Sequence, residues 1–535
     1  MDTTVLGKYP RLKQVADLSP KYRPNEQGTV DHAALEVGKE LSAWFQDNFE
    51  TQQTYEFGHW KADLMQQIRS SPGHKRSRSG GERLNEAWRH QAKRAKNNGI
   101  AFATEDKIDG ITIICAMLAQ GLTDMAMATE RYEPTSLSRD EVARYHEEQT
   151  HIHLGTPLRY EPQPPIYMPS TKSHKNPPGI RNVTNYARKG PHTAYRYAQQ
   201  LLSAVRQVES QHPLFTCTKS TTDMLRQLPA NLKRIIDRDA VGFFDKLNQQ
   251  QACNIIDGMI DAMFSNKGTE WYLKVTQRSY RWQKTTGYVP TNNTHFTATK
   301  TKWLIRHLVT NDYTLYRGKL QKARTGTPMG APMSSLFADL SVWGVEKATL
   351  PVTASIMTDN LNETIHYKRY ADDTGSNIPE DIFQLTMAPP MATLGVTFVK
   401  DNDLPHPQKC NLLDTTITIA DDGTTSTSTY SKRRTLQPEG PIAPIPGGAN
   451  TDSMIKATRV QFIRRAIQNN STIQAFVNEI TQFARHPKHA HISCRTLAKT
   501  VHWELQAPTK DRYNLRNADR DHISYIIRTC RIYHT

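Results

Sequence analysis

Two adjacent aspartates, Asp372 and Asp373, sit in the stretch HYKRYADDTGSNIPED, behind an aromatic residue and ahead of a Thr-Gly turn signal. Neighbouring carboxylates repel each other, so such a pair is either solvated on a surface or holding a cation. Oxygen-only ligands in a basic protein suit Mg²⁺, which keeps several waters and is completed by substrate phosphates. A third carboxylate is then expected elsewhere. The best placed is in KRIIDRDAVGFFDKLN, where Ile235 and Ile236 lead as a β-run into Asp239 and then into a turn at Gly242, Phe243 and Phe244. A carboxylate ending a buried strand, facing a hairpin that carries two more, is the arrangement two-metal chemistry needs. Asp237 and Asp245 compete with Asp239 for that place.

Between the two carboxylate stretches lies ARTGTPMGAPMSSLFADLSVWGVE, a loop with Gly326, Gly330 and two prolines, then a helix starting near Ser334 or Ser335. Glycines let backbone approach a nucleotide closely, and a helix start offers unpaired N–H groups. Taken singly, an Asp-Asp pair is usually a solvated turn and a Gly-Pro loop only a loop.

The rest of the composition points the same way. Lysine and arginine number 68 against 52 acidic residues over 535 positions, a formal charge of +16, so a polyanionic partner is expected, nucleic acid before an anionic membrane surface. The longest apolar run, Ile111 to Ala119, falls short of the ~20 residues a membrane helix needs, so no span is expected. The opening MDTTVLGKYPRLK has no apolar core, so neither a secretory signal nor a transit peptide is expected. Six scattered cysteines without a CxxC pair read as reduced intracellular usage.

Helical spacing of apolar residues runs from about Asp31 to Ile68, and a basic Ser/Gly-rich stretch, 70–99, reads as a solvated linker and charged helix face, with a phosphate-binding arm or nuclear-import signal as the functional readings. A second helical block through DGITIICAMLAQGLTDMAMATERY precedes a proline-rich segment; short β-like and helical runs then alternate to about Lys400, which predicts an α+β domain. Beyond Asn450 the chain reads as helical. There, STIQAFVNEITQFARH places Ile473, Phe476, Val477, Ile480 and Phe483 on one face with Ser471 or Thr472 as N-cap, and the preceding helix carries Lys456, Arg459, Arg464 and Arg465.

In chain order these segments resemble a reverse transcriptase. YMPSTKSHKNPPGIRN is similar to the fingers segment, DAVGFF to palm motif A, GTPMGAPMSS to motif B, YADD to motif C, LGVTFVKD to motif D with its lysine, and NLLDTTITI to the primer-grip hairpin. The K-x-H-K pattern, the glycine loop running on to Ala338 and Glu346, KRYADD, and TYSKRRT before a helical thumb most resemble Penelope-like elements; organellar group II intron reverse transcriptases share D-x-x-G-x-F and YADD. The resemblance covers roughly Tyr160 to Ile492. Thr325 stands where the family often has glutamine before the motif B glycine, and Asn182 where a proline often follows the fingers arginine. No GIY-YIG, RNase H or zinc-ligand endonuclease pattern is recognisable in the sequence.

The resemblance implies a right-hand polymerase: a basic helical extension over 1–150, fingers over 151–235, palm over 236–425, a helical thumb over 426–505 and a tail over 506–535. It implies that Asp239 and Asp372 hold two Mg²⁺ ions, with Mn²⁺ as an alternative, and that Asp373 supports them; the family pattern favours Asp239 because the aromatic then falls at Phe244, where a ring beneath the sugar rejects a 2′-hydroxyl. Lys172, Lys175, Arg181, Ala240, Gly326 and Lys400 are the implied nucleotide contacts, with Lys400 placed to protonate the leaving group. Tyr370, Gly330, Leu413, Asp414, Arg464 and Arg465 are the implied template and primer contacts. The partners are an RNA template, a DNA or RNA primer and dNTPs, and the gene would belong to a mobile element or an organellar genome, acting in mitochondrion or nucleus. The alternative is a maturase-like RNA-binding factor that does not polymerise. His486, His489, His491 and Cys494 form a zinc-like cluster whose spacing is too tight for the usual paired site.

Overall fold

The computed structural model describes residues 100–104, 111–129, 131–172, 179–218, 232–285, 294–400, 409–431, 452–486, 492–506, 513 and 515–530. A hairpin of β1 (Ile100–Thr104) and β2 (Ile111–Cys115) leads into α1 (Ala116–Met127), β3 (Tyr132–Pro134) and α2 (Arg139–Leu154). The run ITIIC, expected as helix, is thus a strand: its β-branched residues fit a pleated surface better than a helical turn. Strands β4 (Ile166–Tyr167), β5 (Ser170–Lys172), β6 (Gly179–Arg181) and β7 (Thr184–Asn185) precede α3 (His192–Glu209).

The middle of the chain runs through β8 (Ile236–Val241), α4 (Gln249–Lys267), β9 (Trp271–Val275), β10 (Tyr280–Lys284), β11 (His295–Phe296), α5 (Ala298–Thr310), β12 (Tyr313–Tyr316) and β13 (Lys319–Ala323) to the long α6 (Ser334–Leu361). Then come β14 (Tyr367–Tyr370), β15 (Asp373–Ser376), α7 (Glu380–Thr386), α8 (Ala388–Thr393), β16 (Thr397–Lys400), β17 (Lys409–Leu412), β18 (Thr415–Ile419) and β19 (Thr425–Thr429). Four helices close the chain: α9 (Asp452–Asn469), α10 (Ile473–Arg485), α11 (Cys494–Gln506) and α12 (Asn517–Thr529).

The element that positions the candidate site is an antiparallel sheet in the order β14–β15–β8–β16. Its central strands β8 and β14 alternate. Arg238 and Ala240 of β8, Tyr367 and Arg369 of β14, Thr374 and Ser376 of β15 and Phe398 of β16 are buried, whereas Asp239, Val241, Tyr370 and Val399 are exposed. A period-2 pattern of this kind covers one face with core and leaves the other to solvent. On the covered face, Ala240, Tyr367 and Phe398 join one core with Leu201 and Leu202 of α3, Ile256 and Ile260 of α4, and Phe337 and Trp343 of α6. The N-terminal half of helix α6 runs through the core, with Phe337, Ala338, Leu340, Val342 and Trp343 fully buried on several sides of the helix.

A mixed five-stranded sheet, β3–β13–β12–β4–β7, builds the region ahead of β8, and β5 and β6 form a separate hairpin. The segment expected as a helical extension therefore supplies strand β3 to this sheet, and position 150 falls inside α2 rather than at a boundary. Residues 1–99 lie outside the described residues. A second core joins α9 through α12, with Ile463, Phe476, Ile480, Phe483, Val501, Ile523 and Ile527 buried together. The expected tail over 506–535 thus includes α12, which packs into the helical unit through Ile523 and Ile527 because its apolar residues recur at helical spacing. In α10, Thr472 caps the N-terminus by accepting from the Ala475 N–H, and Phe476, Val477, Ile480 and Phe483 face the core as expected. Among the described residues no helix is long and apolar enough to cross a membrane.

Candidate active site

The register of the sheet brings the two carboxylate stretches together. Asp373 lies directly opposite Asp239 and Tyr370 opposite Asp373 on the open part of the sheet's solvent face, while Gly375, opposite Asp237, is buried under β17. Directly opposed residues in an antiparallel pair place their Cβ atoms about 4.5–5.5 Å apart. Asp372 occupies the two-residue turn between β14 and β15, and its carbonyl accepts from the Ala240 N–H at 2.8 Å, which ties the turn to the strand carrying Asp239. The other turn residue, Ala371, has φ 51°, a backbone region in which glycine is the usual occupant of tight turns. An L-residue held there costs about 1–2 kcal/mol.

The other two aspartates of the KRIIDRDAVGFFDKLN stretch are placed differently. Asp237 shares the open face but stands toward the end covered by β17, where Leu412 packs against Gly375; burial, with the Asp237 charge adding to it, pushes the Cys410 thiol up. Asp245 lies beyond the turn, paired with Arg131 and accepting from Asn182 Nδ2 at 3.2 Å. Of the three, only Asp239 stands directly across from Asp373.

The glycine loop rests on the same turn. Gly326, at φ 74°, donates its N–H to the Leu247 carbonyl, and a Cβ there would lie 2.3 Å from the Phe244 carbonyl oxygen. Thr327 donates to that Phe244 carbonyl and the Thr325 hydroxyl to the Asp245 carbonyl, so the residue standing in place of the usual glutamine clamps loop to turn. Gly330, at φ 110°, packs so tightly on β7 that a Cβ would meet the Thr184 carbonyl oxygen at 2.2 Å. Phe244 is half-buried edge-on to Phe243 at 4.9 Å, directly under this loop. Asn182 has a comparable bridging role, accepting from the Tyr167 hydroxyl while donating to Asp245.

Beneath the hairpin is a buried charge network that sequence reading missed. Arg369, fully buried, donates to the Ala371 carbonyl at 2.9 Å, to Asp339 Oδ1 at 3.0 Å and to Glu346 Oε1 at 2.7 Å. Glu346, also fully buried, accepts from the Tyr367 hydroxyl at 2.7 Å and from the Thr216 hydroxyl. Burial by itself lowers the pKa of Arg369, but the adjacent Cys217, Glu346 and Asp339 outweigh it and hold the guanidinium well above its usual value. The available signal was the alternation in YKRY, which puts Arg369 on the same side as Tyr367.

The remaining expected contacts are scattered. Lys172 and Arg181 share one face of the β5–β6 hairpin, by the pairing of Lys172 with Gly179 and Ser170 with Arg181, while Lys175 lies outside the described residues. Lys400 pairs in register with Arg238 and so sits on the face of the sheet opposite Asp239, where its charge acts on Glu380; the strand's pleat turns it away from the carboxylates. Leu413, at φ 55°, and Asp414 form the β17–β18 turn. Arg465 is paired with that Asp414, and Arg464 with Glu504 at 2.8 Å, so both arginines, though exposed, are engaged by carboxylates of the chain itself. His489 and His491 lie outside the described residues. Among the described residues no three His, Cys, Asp or Glu side chains converge as a preformed metal cage. Two or three carboxylates around an exposed position still fit Mg²⁺, which takes one or two protein carboxylates and leaves the other positions to water and phosphate.

No protein-family model and no curated protein matches the chain. Among solved structures, it is similar to telomerase from Candida albicans in complex with a fragment of telomeric RNA, at 10% identity and TM-score 0.48 over 98% of this chain and 86% of that one. Apo telomerase from Candida tropicalis is similar at 11% identity and TM-score 0.44, over 99% and 88%. A sicinivirus RNA-dependent RNA polymerase is similar at 8% identity and TM-score 0.39, over 68% and 73%. With likeness at this level, the functional reading rests on the residues of the site.

Proposed function

We propose that the chain is a template-directed nucleic-acid polymerase, and within that class a reverse transcriptase akin to those of Penelope-like elements. The observation that carries the reading is the pairing of Asp239 with Asp373 across β8 and β15, with Asp372 on a turn tied to Ala240 and the glycine loop resting on the Phe244 turn beside them. Asp239, Asp372 and Asp373 would hold two Mg²⁺ ions, which lower the pKa of an attacking 3′-hydroxyl and neutralise the departing pyrophosphate.

The chain's own residues then orient the reactants. Tyr370, exposed on the carboxylate face, would contact a primer end, as would the Leu413–Asp414 turn at the end of β17. Lys172 and Arg181, on one hairpin face, suit triphosphate oxygens, with the Arg fork able to bind two at once. Phe244, fixed from behind by Phe243 and from above by the Gly326 loop, closes the space where a 2′-hydroxyl would lie, which favours dNTPs. The basic surface suits an RNA template gripped through its phosphates, with binding that weakens steeply with salt.

The test is primer extension on an RNA template by the full chain, with dNTPs and rNTPs in parallel, with and without Mg²⁺. Mg²⁺-dependent incorporation of dNTPs is expected. Preferential incorporation of rNTPs would move the reading to an RNA polymerase, and RNA binding without extension would move it to a maturase-like factor.

A further inference from the structure

We infer that Arg369 is a positioning residue: from beneath the sheet it sets the place of the Asp372 turn and links that turn to α6, the helix that continues from the glycine loop. The inference deepens the polymerase reading and rests on it for its catalytic consequence, though not for its structural part. Arg369 spends its donors on three elements at once. Nη1 reaches the Ala371 carbonyl at 2.9 Å and Asp339 Oδ1 at 3.0 Å, Nη2 reaches the Asp339 carbonyl at 2.9 Å and Cys217 Sγ at 3.0 Å, and Nε reaches Glu346 Oε1 at 2.7 Å. Its own backbone is anchored as well, with its N–H donating to the Thr216 carbonyl at 3.0 Å and its carbonyl accepting from the Thr218 N–H at 2.8 Å.

The physical case rests on what a buried guanidinium costs and what it holds. Removing a charge from water is expensive, and a well-packed apolar cluster often serves stability as well or better. A buried pair of this kind therefore needs a reason beyond stability. The reason visible in the geometry is the Ala371 carbonyl, which belongs to the turn residue at φ 51°. An alanine leaves that left-handed region unless its surroundings hold it there, and relaxation would swing the next residue, Asp372, away from its tie to Ala240. The guanidinium reaches Glu346 from Nε and the turn carbonyl and Asp339 from Nη1, acceptors on separate edges that a lysine ammonium, a single point with three donors, would not span. The counter-charges Asp339 and Glu346 both come from α6, so a shift of that helix is carried to the turn through Arg369.

The experiment compares the full chain with Arg369→Lys and Glu346→Gln. The first keeps the charge and loses the fork; the second keeps hydrogen-bonding capacity and leaves Asp339 as counter-ion. Three quantities are read: amide hydrogen exchange over 371–374, Tb³⁺ luminescence competed by Mg²⁺, and the kcat and KM of dNTP incorporation. Arg369→Lys is expected to lose about tenfold or more of the exchange protection at the turn while β8 stays protected, to raise the Mg²⁺ needed for competition about tenfold, and to lower kcat about a hundredfold with KM for dNTP within about threefold. Glu346→Gln should show the same pattern more weakly. Folded variants with wild-type turn protection and wild-type Mg²⁺ competition would overturn the inference. Should Arg369→Lys fail to fold, Glu346→Gln decides by the same readings. A wild-type chain that neither binds Mg²⁺ nor extends a primer would instead refute the polymerase reading, and the exchange data would still decide whether Arg369 sets the turn.

Discussion

Two hairpins in this protein share one local design and put it to different uses. The β14–β15 turn is Ala371–Asp372 and the β17–β18 turn is Leu413–Asp414; in each, an L-residue near φ 50–55° precedes an aspartate. At the first, the Asp372 carboxylate has no ion-pair partner among the described residues, and only its backbone is tied down, to Ala240. At the second, the Asp414 carboxylate is paired with Arg465 and its carbonyl accepts from Asn469 Nδ2 at 3.0 Å, so the turn serves as a joint to the helical unit. The same strained geometry thus presents a carboxylate in one place and consumes it in the other. What separates them is the support: a buried arginine acting on the backbone from below, against an exposed arginine acting on the side chain itself.

The largest expected contrast comes from removing each carboxylate. If Asp372 holds Mg²⁺ as proposed, Asp372→Ala should lower primer extension by about a thousandfold or more, with little change in melting temperature. Asp414→Ala should leave extension within about tenfold and instead loosen the joint to α9, by about 1 kcal/mol or less for a partly exposed pair. Comparable losses of activity in the two variants would erase the distinction drawn here. Gly330→Ala is the next largest: with a positive φ and the Thr184 carbonyl 2.2 Å from the added Cβ, the loop must shift. A destabilisation of about 2–4 kcal/mol is expected by chemical denaturation, and a wild-type unfolding midpoint would show that the loop is not clamped on β7.

Acid stability sets the window in which the turns can be compared. His146 and His307 are buried side by side, Nδ1 to Nε2 at 3.1 Å, and burial first, with charge repulsion second, lowers them to about 3 and about 4. Because their folded values lie below the unfolded value near 6.5, their contribution to stability is complete above pH 6.5 and is lost as pH falls toward 4. His146→Asn should flatten the stability profile over that range, as read from urea midpoints at successive pH values. An unchanged slope would mean the pair is already hydrated. Comparisons of the two turns therefore belong at pH 7 or above. The smallest effect is expected from glycine at the turns themselves: Ala371→Gly and Leu413→Gly each relieve a left-handed L-residue but add unfolded-state entropy, for a net change of about 0–1 kcal/mol. A loss of stability in either variant would show that the side chain, and not the backbone strain, dominates that turn.

Much of the site could be read from the chain alone, because local chemistry was enough. The paired aspartates with their turn signal, the glycines between two prolines, the apolar face of α10 and its threonine cap are all short-range patterns, set by residue type and by periods of 2 or 3.6. Whether Asp237, Asp239 or Asp245 faced the hairpin was not a local matter. Register decided it, by setting Asp373 opposite Asp239 and leaving Asp245 to Arg131. Register also carried Lys400 to the far face, and tertiary pairing engaged Arg464 and Arg465 with Glu504 and Asp414. The strand ITIIC was read as helix, and the packing of α12 into a core was not foreseen, because what an apolar run becomes and packs against is decided by its tertiary surroundings. Sequence by itself determined which residues could do chemistry and in what order they come. Only the tertiary structure decided which of them meet and that a buried Arg369 stands beneath them, because a one-residue change of register reverses the face of every side chain and a buried charge is tolerable only where distant partners converge on it.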